Sequence, residues 1–295
     1  MRIIILGAGY LGYNLYGLLK DRFDAEIWGI DSPYVPLLDS FRMVNAFDEA
    51  VMDRQEFRDA VIIDAIGLVA NTAQSDREEA ELEKIRALYG KLTASLKKGG
   101  ARLFVHFSSG GTIYGNTERP ISEADPIAPI SLYARSKAVS EQVIRDAGMD
   151  YLILRLSNPY GGYQLAEKKQ GVIPILIRKA LCHEVFEMWV SDSSVRDYFY
   201  ITDLSAYISA LLEKGVCNET VNVGSGQGTS LREIINSVQR HTGQKIRIEH
   251  RQSDVPVVQS IVLDITKLKQ LTGLGPAVSL EEGIALETAR IWREL

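Results

Sequence analysis

Arg2-Ile3-Ile4-Ile5-Leu6-Gly7-Ala8-Gly9-Tyr10-Leu11-Gly12 opens this chain of 295 residues. The apolar run reads as a buried strand, and the glycines after it read as a tight turn that opens a helix. Glycines at these places let a pyrophosphate approach backbone amides at a helix N-terminus, where the helix dipole favours an anion. Asp31 ends the next predicted strand. A carboxylate there accepts hydrogen bonds from a ribose diol and repels a 2'-phosphate, so the pattern predicts NAD in preference to NADP, with FAD the competing dinucleotide. The cofactor-binding candidates are Gly7, Gly9, Tyr10, Leu11, Gly12 and Asp31.

The rest of the first half repeats the strand-helix alternation. Residues 2–6, 25–30, 61–65, 102–107 and 151–156 read as buried strands, and residues 10–20, 78–98 and 131–147 carry helical periodicity. Uninterrupted apolar strands alternating with helices predict an α/β, doubly wound Rossmann-type parallel sheet. The charged run 76–84 reads as the solvated start of a helix. After Asn158-Pro159-Tyr160-Gly161-Gly162 the rhythm becomes irregular, which places a change of domain there. Residues 1–160 then form the Rossmann domain, with 195–224 returning to it, and residues 161–194 and 225–295 form a smaller, discontinuous second domain. Residues 279–293 read as a closing amphipathic helix.

Composition excludes several classes. The chain is 46% hydrophobic and 24% charged, with a net charge of -5 and no block of Lys or Arg, which argues against a nucleic-acid surface. The apolar run at the N-terminus stops at Gly7, too short for a signal segment or a membrane span. Cys182 and Cys217 lack metal-ligand spacing, so no metal site and no disulfide framework are expected, and a reducing cytoplasm fits. His106 in an apolar strand reads as a packed histidine, and Trp28, Trp189 and Trp292 read as packing residues.

Tyr133-Ala-Arg-Ser-Lys137 sets a phenol and an ammonium four residues apart, on one face of a predicted helix. A lysine held beside a phenol favours the phenolate, which lets a tyrosine accept a proton at neutral pH. The strand before it ends in Ser108-Ser109-Gly110-Gly111-Thr112-Ile113-Tyr114-Gly115, whose hydroxyls belong at the carboxyl edge of the sheet, where ligands of such folds bind.

With these pieces, and with Leu154-Arg155, Asn158-Pro159-Tyr160-Gly161, Val195-Arg196-Asp197-Tyr198 and Asn222-Val223-Gly224-Ser225-Gly226 in order, the chain resembles an extended short-chain dehydrogenase/reductase of the nucleotide-sugar epimerase/dehydratase family, similar to UDP-glucose 4-epimerases. The likeness runs nearly end to end. It implies hydride transfer at a sugar carbon with NAD as cofactor. Tyr133 would take the proton from a sugar hydroxyl, Lys137 would favour its phenolate while binding the nicotinamide ribose, and Ser109 and Thr112 are candidates for the hydroxyl that bonds the reacting oxygen. Ser108 would line the cofactor. The resemblance also implies a nucleotide-diphosphate sugar, of UDP type, held by Asn158, Gly171, Val172, Arg196, Arg251 and Asp254, and a homodimer.

The chain departs from the family at several positions. UDP-galactose 4-epimerases usually carry Ser or Thr at Gly110, and 4,6-dehydratases carry Thr-Asp-Glu where this chain has Gly110, Gly111 and Thr112. Asp64 stands where histidine is common and Tyr89 where asparagine is common. A side-chain amide is frequent at Gly171. The implied activity is NAD-dependent 4-epimerisation of a UDP-hexose or UDP-N-acetylhexosamine. The alternatives are an NAD(P)H-dependent 4-ketoreductase of a nucleotide deoxysugar and a non-catalytic NAD-binding sensor.

Overall fold

The computed structural model describes residues 1–53, 55, 57–70, 73–164, 171–252 and 258–295. The chain runs β1 (Arg2–Leu6), α1 (Tyr10–Leu19), β2 (Asp24–Gly29), β3 (Arg42–Met43), α2 (Glu49–Met52), β4 (Val61–Asp64), α3 (Glu78–Lys98), β5 (Leu103–Ser109), α4 (Leu132–Asp146), β6 (Tyr151–Leu156) and β7 (Asn158–Tyr160). It continues with α5 (Val172–Leu181), β8 (Val185–Met188), β9 (Val195–Tyr200), α6 (Ile201–Glu213), β10 (Glu219–Val223), β11 (Gly228–Ser230), α7 (Leu231–Thr242), β12 (Arg247–His250), α8 (Thr266–Thr272) and α9 (Leu280–Glu294).

Seven strands form one sheet in the order β10-β6-β5-β4-β1-β2-β3, and every neighbouring pair is parallel. The unbroken apolar run of β1 is explained by burial on both faces. Strand alternation sends Ile3 and Ile5 to a core with Leu15, Leu204 and Ile208 of α1 and α6. It sends Ile4 and Leu6 to the opposite core, with Leu92 and Leu96 of α3 and Ile144 of α4. The fold is therefore a doubly wound Rossmann-type α/β sheet. The chain builds outward from β1 in one direction through β2 and β3, then returns to build β4, β5 and β6 on the other side. The reversal lies between β1 and β4, and the crevice at the carboxyl ends of those strands is where such sheets take ligands.

A third apolar core lies apart from the sheet, formed by Ile173, Leu176 and Ile177 of α5, Ile234 and Val238 of α7, and Ile284 and Ile291 of α9. The start of α7 is fixed by a capping box in which Ser230 accepts from the Glu233 N–H and the Glu233 carboxylate accepts from the Ser230 N–H. Beside this core are a three-stranded sheet, β11-β9-β7, and a two-stranded parallel sheet, β12-β8.

Three expectations differ in detail. The second strand stops at Gly29, so Asp31 lies beyond it. Of the segment expected to return to the first domain, β10 joins the main sheet beside β6, but β9 pairs with β7 and β11, because β10 already occupies the free edge of β6. Trp28 is fully buried as expected, whereas Trp189 and Trp292 are 52% and 65% exposed and do not pack into a core. Among the described residues no helix is long and apolar enough to cross a membrane, and no cluster of His, Cys, Asp and Glu could hold a metal ion.

Candidate active site

At the carboxyl end of β1 the glycine turn is forced by the protein itself at two positions. Gly7 has φ of +105°, and a Cβ on Gly12 would stand 1.8 Å from the Gly7 carbonyl oxygen. Gly9 is different, since a Cβ there would meet nothing within 4 Å. Packing within the chain does not require glycine at that position, whereas close approach of a ligand would. α1 has no side-chain cap at its N-terminus, so its first amides remain available to an anion. Ser32 Oγ donates to the Ala8 carbonyl at 2.6 Å, tying the segment after β2, with its exposed Asp31, to the turn. These residues fit a dinucleotide. The Tyr10 phenol is committed elsewhere, donating to the Gly161 carbonyl at 2.7 Å, and burial pushes its pKa well up. Asn14 of α1 reaches the same loop, donating to the Tyr163 carbonyl at 2.9 Å and accepting from the Tyr163 N–H at 2.8 Å.

Tyr133 and Lys137 both lie on α4, whose Lys137 side chain reaches the carboxyl end of β5. Ser131 caps α4 by accepting from the Ala134 N–H at 3.2 Å, which starts the helix one residue before Tyr133. One turn later Lys137 Nζ donates to the Phe107 carbonyl at 2.7 Å, so the lysine is anchored to β5. Thr112 Oγ1 donates to Ser109 Oγ at 2.9 Å, which joins the two candidate hydroxyls in one turn. Gly110 has no room for a third. A Cβ there would stand 2.6 Å from Leu263 Cδ1 and 2.8 Å from the Arg155 carbonyl oxygen. Ser108 is buried beside Glu141 of α4.

Asn158 lies against the same turn, its Nδ2 being 3.6 Å from where a Cβ of Gly111 would be, and that nitrogen donates to the Asp197 carbonyl at 2.8 Å. The hydroxyl turn is thereby linked to the β9 segment that carries Arg196. Arg196 donates to the carbonyls of Val195 and Val258 and pairs with no carboxylate among the described residues, and burial lowers its pKa. Asp197 is buried, accepting from the N–H and Oγ of Ser225, the N–H of Gly226 and that of Leu263. Gly171, with φ of +82°, precedes Val172 at the start of α5. Arg251, just after β12, pairs with Glu187 at 2.9 Å and Glu249 at 3.1 Å. Asp254 lies outside the described residues.

A model of the NAD dependent epimerase/dehydratase family matches residues 3–224, which take in the glycine turn, the Tyr133/Lys137 pair and Arg196. The chain belongs to that family. It is 28% identical over 312 residues to the UDP-glucose 4-epimerase of Mycolicibacterium smegmatis, covering 97% of this chain and 96% of that one. It is 33% identical over 194 residues to dTDP-4-dehydro-6-deoxyglucose reductase of Escherichia coli, a match that spans 64% of this chain but only 61% of the reductase. Among solved structures, the UDP-glucose 4-epimerase of Thermotoga maritima with UDP-glucose resembles it with a TM-score of 0.87 at 26% identity, over 100% of this chain and 99% of that one.

Two buried polar networks of this epimerase/dehydratase family member were not foreseen in the sequence. In the first, Glu141 of α4 receives Arg155 of β6 in a two-bond pair at 2.9 and 2.7 Å. Arg155 also donates to the Tyr114 hydroxyl at 2.7 Å, which donates to Asn222 of β10 at 2.7 Å. In the second, His106 Nδ1 stands 2.7 Å from Asp64 Oδ2 and His106 Nε2 stands 2.9 Å from Ser140 Oγ. Tyr89 donates to the same Asp64 oxygen at 2.8 Å. Polar residues inside apolar strands, and the spacing of Ser140 and Glu141 from Lys137 on one helix face, were the available signals. Gln164 is buried, and its amide oxygen lies 3.7 Å from where a Cβ of Gly171 would stand.

Proposed function

We propose that the chain is an NAD-dependent nucleotide-sugar 4-epimerase acting on a UDP-hexose or its N-acetyl form. The observation that carries this reading is an anchored Tyr133/Lys137 pair beside a strand-end turn, Gly110-Gly111-Thr112, that bears no carboxylate. Eliminating water from a sugar needs a positioned acid and base at that turn, so dehydration loses its groups while proton exchange at a hydroxyl keeps them. The likeness to a UDP-glucose 4-epimerase over almost the whole of both chains supports the same reading.

The amides of the Gly7–Gly12 turn hold the pyrophosphate of NAD, and Asp31 takes the ribose diol. Held there, NAD would supply the hydride acceptor for oxidation of the sugar carbon and the hydride donor for its reduction from the other face. Tyr133 takes the proton of the C4 hydroxyl and later gives it back. Lys137, fixed by the Phe107 carbonyl, presents its remaining donors to the nicotinamide ribose. Ser109 and Thr112 bond the reacting oxygen. Arg196 and Asn158 meet the diphosphate and sugar, and Gly171, Val172 and Gln164 lie against the nucleotide, all within the unit formed by residues 161–194 and 225–295 and its junction with β7 and β9. Arg251, paired with Glu187 and Glu249, adds a further guanidinium for the diphosphate. A homodimer would pair the outer faces of α3 and α4.

Incubating the purified protein with UDP-glucose, UDP-galactose and their N-acetyl forms, with no cofactor added, should interconvert one pair of epimers. Sedimentation should give twice the chain mass of 32.8 kDa. Unchanged sugar across that panel would sink the proposal. The partial likeness to the deoxysugar reductase supports a second reading as 4-ketoreductase, which predicts stoichiometric oxidation of NADH or NADPH by a nucleotide 4-keto sugar.

A further inference from the structure

Asp64, His106 and Ser140 take no part in the proposed proton exchange, yet they are fully or almost fully buried directly beneath it. They sit on three adjacent elements. Asp64 and His106 are register partners on β4 and β5, and Ser140 is one turn beyond Lys137 on α4. Ser140 Oγ stands 2.9 Å from His106 Nε2 and 2.9 Å from the Lys137 carbonyl oxygen. The next residue of β5, Phe107, receives the Lys137 ammonium. Consecutive residues of one strand thus grip the two ends of a single helical turn, and that turn carries the catalytic face of α4.

We propose that Asp64, His106 and Ser140 are positioning residues for Lys137, locking the rotation of α4 on β5 and setting a buried negative charge behind the Lys137 ammonium. The inference rests on the reading of Tyr133 and Lys137 given above. Its protonation pattern follows from the surroundings of His106: Asp64 on β4, Tyr89 on α3, and Lys137, Ser140 and Glu141 on α4. Burial first, and the Lys137 charge with it, hold the imidazole pKa down against the pull of Asp64 and Glu141. Burial alone would raise the Asp64 carboxyl, but the hydrogen bond from His106, the Lys137 charge and the Ile66 N–H bring it below the usual range. Neutral His106 donates from Nδ1 to ionised Asp64, and the one Ser140 hydroxyl proton is shared between His106 Nε2 and the Lys137 carbonyl oxygen. Helical i, i+3 and i, i+4 spacing puts Tyr133, Lys137 and Ser140 on one face, so a helix freed from this tie would carry both catalytic groups out of line together.

Ser140→Ala, His106→Gln and Asp64→Asn test this in the whole chain, with NAD affinity and UDP affinity measured by calorimetry beside kcat and the melting temperature. NAD should bind about five- to ten-fold more weakly and kcat should fall about ten- to hundred-fold, with UDP affinity unchanged. Ser140→Ala removes a single hydroxyl and decides the matter if the other two variants do not fold. Unchanged NAD affinity and kcat overturn the proposal. So does a parallel loss of NAD and UDP binding that follows the melting temperature, since that marks a purely structural tie. A wild-type chain that binds NAD but epimerises none of the sugars removes the 4-epimerase reading and leaves the affinity comparison to decide this one.

Discussion

Replacing Tyr133 by Phe is expected to lower kcat for epimer interconversion by about 10²- to 10⁴-fold, the usual worth of a positioned proton-transfer group. The ring and the helix are retained, and the hydroxyl that is lost makes no hydrogen bond to another described residue, so nothing buried is left unsatisfied. Lys137 keeps its bond to the Phe107 carbonyl. NAD affinity and the melting temperature should therefore stay close to wild type, and substrate KM should change little. Steady-state kinetics with a parallel NAD titration measure all of these. Retention of kcat within ten-fold would mean that the proton is handled by another group.

The second large effect concerns stability. In Arg155→Met the Glu141 carboxylate loses a two-bond partner in a fully buried position and keeps Arg145, at 2.8 Å on the helix surface. Removing one partner of such a pair costs about 3–5 kcal/mol, a large share of the roughly 5–15 kcal/mol by which domains are stable. Replacing both members, as in Arg155→Met with Glu141→Leu, should recover much of that loss, because no charge is then left buried alone. The pH dependence follows with its sign. Burial would raise the Glu141 carboxyl, but Arg155, by hydrogen bond and by charge, holds it below the ordinary value. Its contribution is thus complete above about pH 4.5 and is lost as the pH falls through the folded value. The deficit of Arg155→Met should be widest at neutral pH and narrow in acid. Urea unfolding across that range measures it, and a single-variant loss under about 1 kcal/mol at pH 7 would show the pair to be dispensable.

What could be read in the chain follows the range of the forces involved. β1 and β6 were read to the residue, because a strand buried on both faces writes itself as an uninterrupted apolar run. The Tyr133 helix was legible from its spacing. β3 has only two residues, and β12, Arg247–His250, is exposed at every position, so neither leaves a hydrophobic signature. The ties at the site were illegible for another reason. Asp64 and His106 are 42 positions apart, and Arg155 and Glu141 stand on different elements, so only strand register and helix docking bring them together. Gly110 shows both sides. Its lack of a hydroxyl was visible in the sequence, but the cause, the closeness of Leu263 and of the Arg155 carbonyl, is a contact with distant chain.

Arg196 and Asp197 are neighbours in sequence and would cancel one another if they met. They stand at successive positions of β9, and successive side chains of a strand point to opposite sides. On one side Asp197 spends its charge on the amides of Ser225, Gly226 and Leu263. On the other, the Arg196 guanidinium meets only carbonyl oxygens among the described residues. The backbone of β9 acts as a partition between a hydrogen-bonded carboxylate and a guanidinium that has no carboxylate partner among the described residues. A chain whose total charge is -5 can in this way present a local positive potential to an anion without changing its overall balance.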